Sequence, residues 1–363
     1  MVNAQFPITT TPKYNFPPLI SNLQLPRKLI ELSIRSLEWE HNPQVAFTKS
    51  KATQSTLHQR APLQRESSEK NFVDESLVKL TPDSRETPVV AIDVSSIRLG
   101  ETQAGTLIAV RGAVVWKQAR RYRYLRLGPF PFHITERNEK EIRGLLHLCH
   151  QSEHIQGNVV PNALFVQTKL TTLLERWIQA SVSHTSHDSV ILWDGSLIAG
   201  TPATSIKAME SLLKRARDNG STVLAFSKMT RLLFLGRRLT DFVARHPPPC
   251  LLRMQDYPTH LGSMRLMGSV YVAKLTGNSC AFRLDADRNL THPEVVEAVQ
   301  RLLGNDLILQ SYPDTLRLAH IMSTFTAIEV LGMQRCIAKQ AGVEIVARPS
   351  IRRVLFGPFG KEG

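Results

Sequence analysis

Two runs of apolar residues in this chain each end in an aspartate. Residues 190–193 (VILW) lead into Asp194 and a Gly-Ser turn, and residues 89–92 (VVAI) lead into Asp93. Continuous apolar runs rich in β-branched residues are typical of buried strands. Open α/β sheets place their sites where such strands end, so the two carboxylates together suggest a metal site. Each aspartate alone could instead start a turn or cap a helix.

The order of the predicted elements is close to that of a ribonuclease-H-like core. Strands at 89–94, 106–116 and 121–127 are separated by short turns, which predicts an antiparallel meander. We expect an α/β fold with a mixed sheet, helices on both faces, and a helical and hairpin extension. The elements predicted after the meander are helices at 136–151, 162–182 and 204–219, strands at 190–193 and 221–226, a helix from 228 to about 245, a loop at 246–249, hairpin strands at 263–275 and 279–285, a helix at 293–303, a strand at 307–312, and a helix at 314–330 that could continue to 340.

Three regions are expected along the chain. Residues 1–87 form an N-terminal extension with a helix at 25–40 and a polar linker at 49–72. Residues 88–345 form the regular domain. Residues 346–363 form a basic tail that contains Arg348, Arg352, Arg353 and Lys361.

The charge of the chain suggests a partner rich in phosphate. Lys and Arg number 45 against 31 Asp and Glu, which gives a formal net charge of +14 over 363 residues. Proteins of ribosomes and membrane surfaces share this property, so charge alone does not identify the partner. The four cysteines form no CxxC motif, and neither a signal peptide nor an apolar run of about 18 residues is evident. We expect a cytoplasmic protein that does not enter a membrane.

Three carboxylates are candidates to bind metal. Hydrolysis of a phosphodiester needs an activated water and stabilisation of negative charge, and one or two Mg²⁺ or Mn²⁺ ions can supply both. Such ions prefer carboxylate oxygens, which Asp93 and Asp194 would provide. Glu175 is the best third candidate because it borders the apolar face of the helix before the strand of Asp194, although it could be an ordinary boundary carboxylate. Lower-ranked competitors are Glu210, Asp188 and Asp285.

Three further residues could act beside these carboxylates. His320 could bind a metal or transfer protons, or it could be a satisfied histidine on a helix. Tyr312 could orient the site, or it could be a core aromatic. Lys228, just after a predicted strand, could contact a phosphate, or it could be a solvated surface lysine.

Together these residues resemble the motifs of the NurA nucleases. The resemblance covers about residues 88–345, and its most specific parts are the WDGS stretch and the YP…L…AH motif. Its elements are Ala91-Ile92-Asp93, Leu192-Trp193-Asp194-Gly195-Ser196, Ser227-Lys228, and Tyr312-Pro313 with Leu316 and His320.

The resemblance implies an activity and a set of partners. It implies a ribonuclease-H-like fold with manganese-dependent single-strand endonuclease and 5′-to-3′ exonuclease activity in DNA double-strand-break end processing. It also implies a ring-like homodimer and a HerA-like hexameric ATPase translocase as partner. The metal-binding carboxylates of the family fall on Asp93, Glu175 and Asp194, and its motif tyrosine and histidine fall on Tyr312 and His320. The three carboxylates would hold two ions of Mn²⁺ or Mg²⁺.

One departure from the family pattern lies beside Asp93. The usual Asp-Gly-Ser is replaced by Asp93-Val94-Ser95-Ser96. Valine does not readily take the positive φ that glycine permits, so we expect an altered loop geometry with the carboxylate retained.

A basic strand could contact DNA. Arg120, Arg121, Arg123 and Arg126 are interleaved with Tyr122 and Tyr124, and the period of two predicts one Arg-rich and one apolar face. Such a strand could track a single-stranded backbone and stack bases, with Tyr124 among the contacts, or its Arg-rich face could simply be solvated.

The leading hypothesis is a divalent-metal-dependent DNA nuclease acting on single strands or ends. The alternative from another class is a non-catalytic nucleic-acid-binding or scaffold protein on a decayed nuclease core, which the Val94 departure motivates. A nuclease directed at RNA is a third hypothesis.

Overall fold

The structure is a computed structural model. It describes residues 8–10, 24–38, 76–136, 138, 142, 144, 163–201, 204–230, 232–255, 257–258, 260–261, 264–277, 280–342 and 345. The predicted linker at 49–72, most of the predicted helix at 136–151, and the basic tail lie outside the described residues.

The described residues form short and long strands with helices between them. The strands are β1 (Ile8–Thr10), β2 (Leu77–Lys79), β3 (Val89–Glu101), β4 (Gly105–Gln118), β5 (Arg121–Thr135), β6 (Val190–Asp194), β7 (Ile198–Ala199), β8 (Thr222–Ser227), β9 (Leu233–Phe234), β10 (Arg237–Arg238), β11 (Cys250–Arg253), β12 (His260–Leu261), β13 (Met264–Leu266), β14 (Gly268–Lys274), β15 (Phe282–Asp287), β16 (Ile308–Leu309) and β17 (Tyr312–Pro313). The helices are α1 (Gln24–Glu38), α2 (Ala163–Thr185), α3 (Ile206–Asp218), α4 (His292–Asn305), α5 (Asp314–Ser323) and α6 (Ala327–Ala341), with a 3₁₀ helix at Leu239–Val243.

Ten of the described strands form a mixed sheet, in the order β1-β5-β4-β3-β6-β8-β15-β14-β11-β2. Strands β3, β4 and β5 are an antiparallel meander, β6 runs parallel to β3, and β8 runs parallel to β6. This arrangement confirms the predicted α/β fold with a ribonuclease-H-like strand order. The predicted hairpin is present as β14 and β15, and it widens the same sheet because β15 pairs with β8.

Apolar side chains alternate between the two faces of the sheet, so both faces carry a core. On β3, Val90 and Ile92 join the core that includes residues of α1, α2 and α3, whereas Val89 and Ala91 join the core that includes residues of α4 and α5. By the same alternation, Asp93 lies on the α4–α5 face. The predicted helices on both faces are therefore confirmed.

The strand that contains Asp93 is longer than predicted. It continues through Val94 to Glu101, and Val94 pairs with Gly112 of β4 in regular register. Val94 is not among the residues with positive φ. The expected altered loop is therefore wrong: the backbone after Asp93 is extended, a conformation that β-branched residues favour.

Two helix predictions in the second half are also wrong. Within the predicted helix from 228 to 245, residues 233–243 form the β9–β10 hairpin and the 3₁₀ helix, because Leu235 and Gly236 both have positive φ and make a tight turn. The helix predicted at 314–330 is interrupted: α5 ends at Ser323, and Thr326 with Glu329 forms a capping box that starts α6.

No described helix is both long enough and apolar enough to cross a membrane.

Candidate metal centre

Strand register brings the two aspartates together. In the parallel pair β3–β6, Ile92 lies opposite Trp193, so the next residue of each strand is the aspartate. Residues that lie opposite each other on neighbouring strands project their side chains to the same face of the sheet. For Asp93 and Asp194 this is the α4–α5 face. Asp93 is 9% exposed, and Asp194 is half-buried. The local sequence thus places two carboxylates side by side, close to the helix that follows Tyr312.

His320 completes a group of three metal-ligating side chains. Ligand atoms of Asp93, Asp194 and His320 all lie within 4.8 Å of one another. Helix α5 packs through Leu316 and Ala319, and this packing turns His320 toward β3, where its Nδ1 lies 3.0 Å from Oδ2 of Asp93. A carboxylate only accepts hydrogen bonds, so Nδ1 of His320 is the donor to Asp93 in this arrangement.

The donor set of this group fits a divalent cation. Two carboxylates and one imidazole offer hard oxygen ligands with a nitrogen, as Mn²⁺ and related ions accept. These three residues could therefore hold a metal ion.

Lys228 and Tyr312 lie against the same group. The Nζ atom of Lys228 is 2.6 Å from Oδ2 of Asp194 and 5.7 Å from the centre of the Tyr312 ring. Tyr312 is 7% exposed, and among the described residues its hydroxyl has no hydrogen-bond partner. Burial raises the pKa of Tyr312, and the nearby carboxylates of Asp194 and Asp93 raise it further. The hydroxyl is thus an unused donor close to both aspartates.

Glu175 approaches this group from the opposite face but is not part of it. It projects from α2 and is half-buried, and its Oε1 accepts a hydrogen bond of 3.1 Å from Gln179. Burial raises the pKa of Glu175, the neighbouring Arg176 opposes the rise, and the charges of Asp93 and Asp194 add to it. Glu175 is therefore near enough to sense both aspartates, while its carboxylate lies outside the group of three.

The competing carboxylates have other surroundings. Asp285 is buried, is paired with Arg283 at 2.6 Å, and accepts a hydrogen bond from the N–H of Leu197. Glu210 lies 3.8 Å from Arg265, and Asp188 is exposed in a turn. None of the three belongs to the group that contains Asp93.

Sequence reasoning missed two serines beside Asp93. Ser323 donates a hydrogen bond to Oδ2 of Asp93, and its Oγ lies 2.9 Å from that of Ser95. A signal for both was present: Ser95 is two residues after Asp93 on a strand, and Ser323 is three residues after His320 on a helix, so each shares a face with a candidate ligand.

The prediction of one Arg-rich face on β5 is wrong. Arg121 and Arg123 alternate with Tyr122 and Tyr124, but Arg126 then falls on the tyrosine face because Leu125 takes the other. Leu125 belongs to the core on the α2 side of the sheet, whereas the two tyrosines pack on the α4–α5 side.

The basic residues of this strand therefore differ in what they contact. Arg126 is bonded to Glu329 at 2.9 Å, and Tyr124 is half-buried against the core. Arg120 and Arg121 are exposed at the β4–β5 turn, and Arg123 is half-buried. DNA binding by these residues stays a prediction. Arg120 and Arg121 are the most accessible to DNA because they are exposed.

Comparison with known proteins yields structural neighbours only. No protein-family model matches the chain, and no curated protein matches it. The chain is similar to the NurA nuclease from Sulfolobus solfataricus, with 16% identity, a TM-score of 0.49, and coverage of 76% of this chain and 92% of that one. A structure of NurA with manganese has 8% identity and a TM-score of 0.42, over 86% of this chain and 97% of that one.

A nuclease of another kind is also similar. Endonuclease V from Ciona intestinalis, in complex with DNA, has 10% identity and a TM-score of 0.34, over 71% of this chain and 93% of that one. Two of these three structures carry the family name that the motifs resemble. With identities this low and TM-scores below 0.5, the likenesses carry no argument about the activity of this chain.

Proposed function

We propose that this protein is a divalent-metal-dependent nuclease that hydrolyses phosphodiester bonds of DNA. The observation that carries the proposal is the group formed by Asp93, Asp194 and His320, whose ligand atoms lie within 4.8 Å of one another. The net charge of +14 supports a phosphate-rich substrate.

The three residues of the group and three of their neighbours each have a role in this proposal. Asp93, Asp194 and His320 would hold a Mn²⁺ or Mg²⁺ ion, and Glu175 would help to hold a second one. A bound ion of this kind supplies Lewis-acid stabilisation and lowers the pKa of a water molecule. Lys228, which lies beside Asp194, would donate to a phosphate oxygen on which negative charge develops. The buried hydroxyl of Tyr312 would orient a water or a phosphate oxygen near the aspartates.

The finer activity follows the motif resemblance. We infer single-strand endonuclease and 5′-to-3′ exonuclease action in the processing of DNA double-strand breaks, by a homodimer that works with a HerA-like hexameric ATPase translocase. Arg120 and Arg121 would contact the DNA backbone. Light scattering of the purified protein tests the dimer, and co-purification with such a translocase tests the partnership.

Cleavage of labelled single-stranded DNA tests the central proposal. We expect cleavage with Mn²⁺ or Mg²⁺ and none with a chelator. The variant Asp194→Asn should abolish it, whereas the matched control Asp188→Asn should not, because Asp188 is exposed in a turn with φ of 46°, which asparagine also tolerates. Cleavage that persists in Asp194→Asn would contradict the assignment.

The same assay separates the other functions. DNA binding without metal, together with no cleavage under any divalent ion, would favour a non-catalytic binding or scaffold protein. Preferential cleavage of RNA in a competition between labelled RNA and DNA would favour an RNA-directed nuclease.

A further inference from the structure

One oxygen of Asp93 is occupied by the protein itself. Oδ2 of Asp93 faces Nδ1 of His320 at 3.0 Å and also accepts a hydrogen bond from the hydroxyl of Ser323. Ser323 has no exposed surface, so water does not compete for this hydroxyl. Two donors on one oxygen leave the other oxygen, Oδ1, as the one available to an ion.

The direction of the hydrogen bonds around Ser323 can be assigned. A serine hydroxyl has one proton, and Oγ of Ser323 lies within reach of Asp93 and, at 3.0 Å, of the carbonyl of His320. The carboxylate is the stronger acceptor, so the proton goes to Asp93. Oγ of Ser323 is then left as an acceptor for Ser95, whose hydroxyl lies 2.9 Å away. Ser95 therefore donates a hydrogen bond to Ser323, and Ser323 donates one to Asp93.

We propose that Ser323, supported by Ser95, is a positioning residue that fixes the rotation of the Asp93 carboxylate so that Oδ1 is presented to the metal. The inference rests on the proposed function, because it assigns a role at the same site. Asp93 and Ser95 come from β3, whereas His320 and Ser323 come from α5. The two hydrogen bonds thus also hold α5 at the distance that brings His320 to Asp93.

The expected size of the effect follows from metal sites in general. Partners that hold a metal ligand in place change metal affinity or activity by about 10–100-fold when they are removed. Loss of the Ser323 hydroxyl would leave His320 as the only described donor to Oδ2. The carboxylate could then rotate, and either oxygen would face the ion only part of the time.

Calorimetric titration of the full-length protein with Mn²⁺ tests the proposal without relying on activity. We expect Ser323→Ala to raise the Kd for Mn²⁺ by about tenfold and Ser95→Ala to raise it by a smaller factor. The double variant should resemble Ser323→Ala, because Ser95 acts through Ser323 and the two effects are not additive. Additive losses of Mn²⁺ affinity in the double variant would contradict the proposal that Ser95 acts through Ser323.

Ser221→Ala is the matched control. Ser221 is also buried, and its hydroxyl also bridges two groups, the carbonyl of Ser186 and the N–H of Ser189, near the start of β6 and β8. We expect this variant to lose thermal stability without any change in Mn²⁺ affinity. An equal loss of affinity in Ser221→Ala would show a general effect of truncating buried serines and would overturn the proposal.

The outcomes also separate this inference from the function on which it rests. If the wild-type protein binds no Mn²⁺, the proposed function fails. If the wild type binds Mn²⁺ and both serine variants bind it equally well, the role of Ser323 is overturned while the function stands. If Ser323→Ala does not fold, the half-buried Ser95 decides: unchanged affinity in Ser95→Ala overturns the proposal.

Discussion

The Nζ atom of Lys228 lies 2.6 Å from Oδ2 of Asp194, so one proposed metal ligand already has a cationic partner in the protein. The contact follows from strand pairing, because Asp194 is opposite Phe226 and Lys228 comes two residues after Phe226. The side chain of Lys228 is 39% exposed, and its Nζ also lies over the Tyr312 ring. A lysine in this place would compete with a metal for Asp194 and would be near any phosphate that the metal binds.

Replacement of Lys228 should therefore separate catalysis from metal binding. In Lys228→Ala we expect the cleavage rate at saturating Mn²⁺ to fall about 10²–10³-fold, because a donor to the developing negative charge is lost. The Kd for Mn²⁺ should not rise, because a competing cation has been removed. Single-turnover cleavage and calorimetry measure the two quantities. Lys207→Ala, an exposed lysine on α3, is the control, and an unchanged cleavage rate in Lys228→Ala would assign Lys228 to the solvated surface.

Glu175 should reduce stability when no metal is present. Burial raises the pKa of Glu175, and Asp93 and Asp194 raise it further against the effect of Arg176. An acid whose pKa is raised on folding contributes stability that is fully present below its unfolded value of 4.5 and is lost as the pH rises through the folded value. We expect Glu175→Gln in metal-free buffer to raise the Tm at pH 7 and to have no such effect near pH 4.

Added Mn²⁺ should oppose the destabilising effect of Glu175. If Glu175 helps to hold an ion, Mn²⁺ will raise the Tm of the wild type more than that of Glu175→Gln, because binding to the folded state alone is stabilising. Thermal denaturation with and without Mn²⁺ gives the Tm shift of each protein. Glu210→Gln, which removes an exposed carboxylate, is the control. An equal Mn²⁺ shift in both proteins would remove Glu175 from the metal site.

The features that the sequence predicted well are those that depend on local pattern. The apolar runs before Asp93 and Asp194 specify buried strands wherever they fold, and the element order then restricts the sheet topology. Because the hydrophobic pattern also sets strand register, two aspartates that directly follow the apolar runs of neighbouring strands are expected to lie side by side.

The features that it missed depend on packing between distant parts of the chain. Arg126 lies on the tyrosine face, where Glu329 of α6 pairs with it, because Leu125 takes the face of Arg121 and Arg123. Ser323 gains its role only because α5 packs on β3. The turn at Leu235 and Gly236 was missed because leucine is rare at positive φ, so only the glycine hinted at it.

Glu329 should stabilise the packing of α6 in a pH-dependent way. It is bonded to both Arg111 and Arg126 at 2.9 Å, and Arg111 is almost fully buried. Burial would raise the pKa of Glu329, but hydrogen bonds from Arg111, from the N–H of Thr326 and from Arg126 outweigh it and hold the pKa at about 2. A lowered pKa contributes stability above the unfolded value of 4.5, and that stability is lost as the pH falls toward 2.

Replacement of Glu329 should consequently weaken the fold at neutral pH. We expect Glu329→Gln to lower the free energy of unfolding by about 2 kcal/mol at pH 7, since it leaves the buried Arg111 without a carboxylate, and this is less than for a fully buried pair because Glu329 is partly exposed. Urea denaturation should show a constant difference from pH 8 to 5 that shrinks below pH 4. The exposed Glu297, replaced by Gln, should cost less than about 1 kcal/mol, and an equal cost would contradict the special position of Glu329.

The hydroxyl of Tyr312 should contribute to cleavage but not to the stability of the fold. The ring packs edge-on against Phe226 and Phe282, with centroid distances of 6.1 and 5.4 Å, and these contacts would survive in Tyr312→Phe. The hydroxyl is buried with no hydrogen-bond partner in the described part of the chain, so its removal should leave the free energy of unfolding unchanged or raise it.

The cleavage rate should respond in the opposite direction. We expect Tyr312→Phe to slow cleavage by about 10–100-fold, because the hydroxyl lies near Asp93 and Asp194 and has no hydrogen-bond partner among the described residues. Urea denaturation and single-turnover cleavage are measured on the same preparation, with the buried Tyr271→Phe as control. A protein that is as stable as or more stable than the wild type but cleaves more slowly would place the hydroxyl in the active site. Unchanged cleavage would make Tyr312 a core aromatic whose ring alone matters.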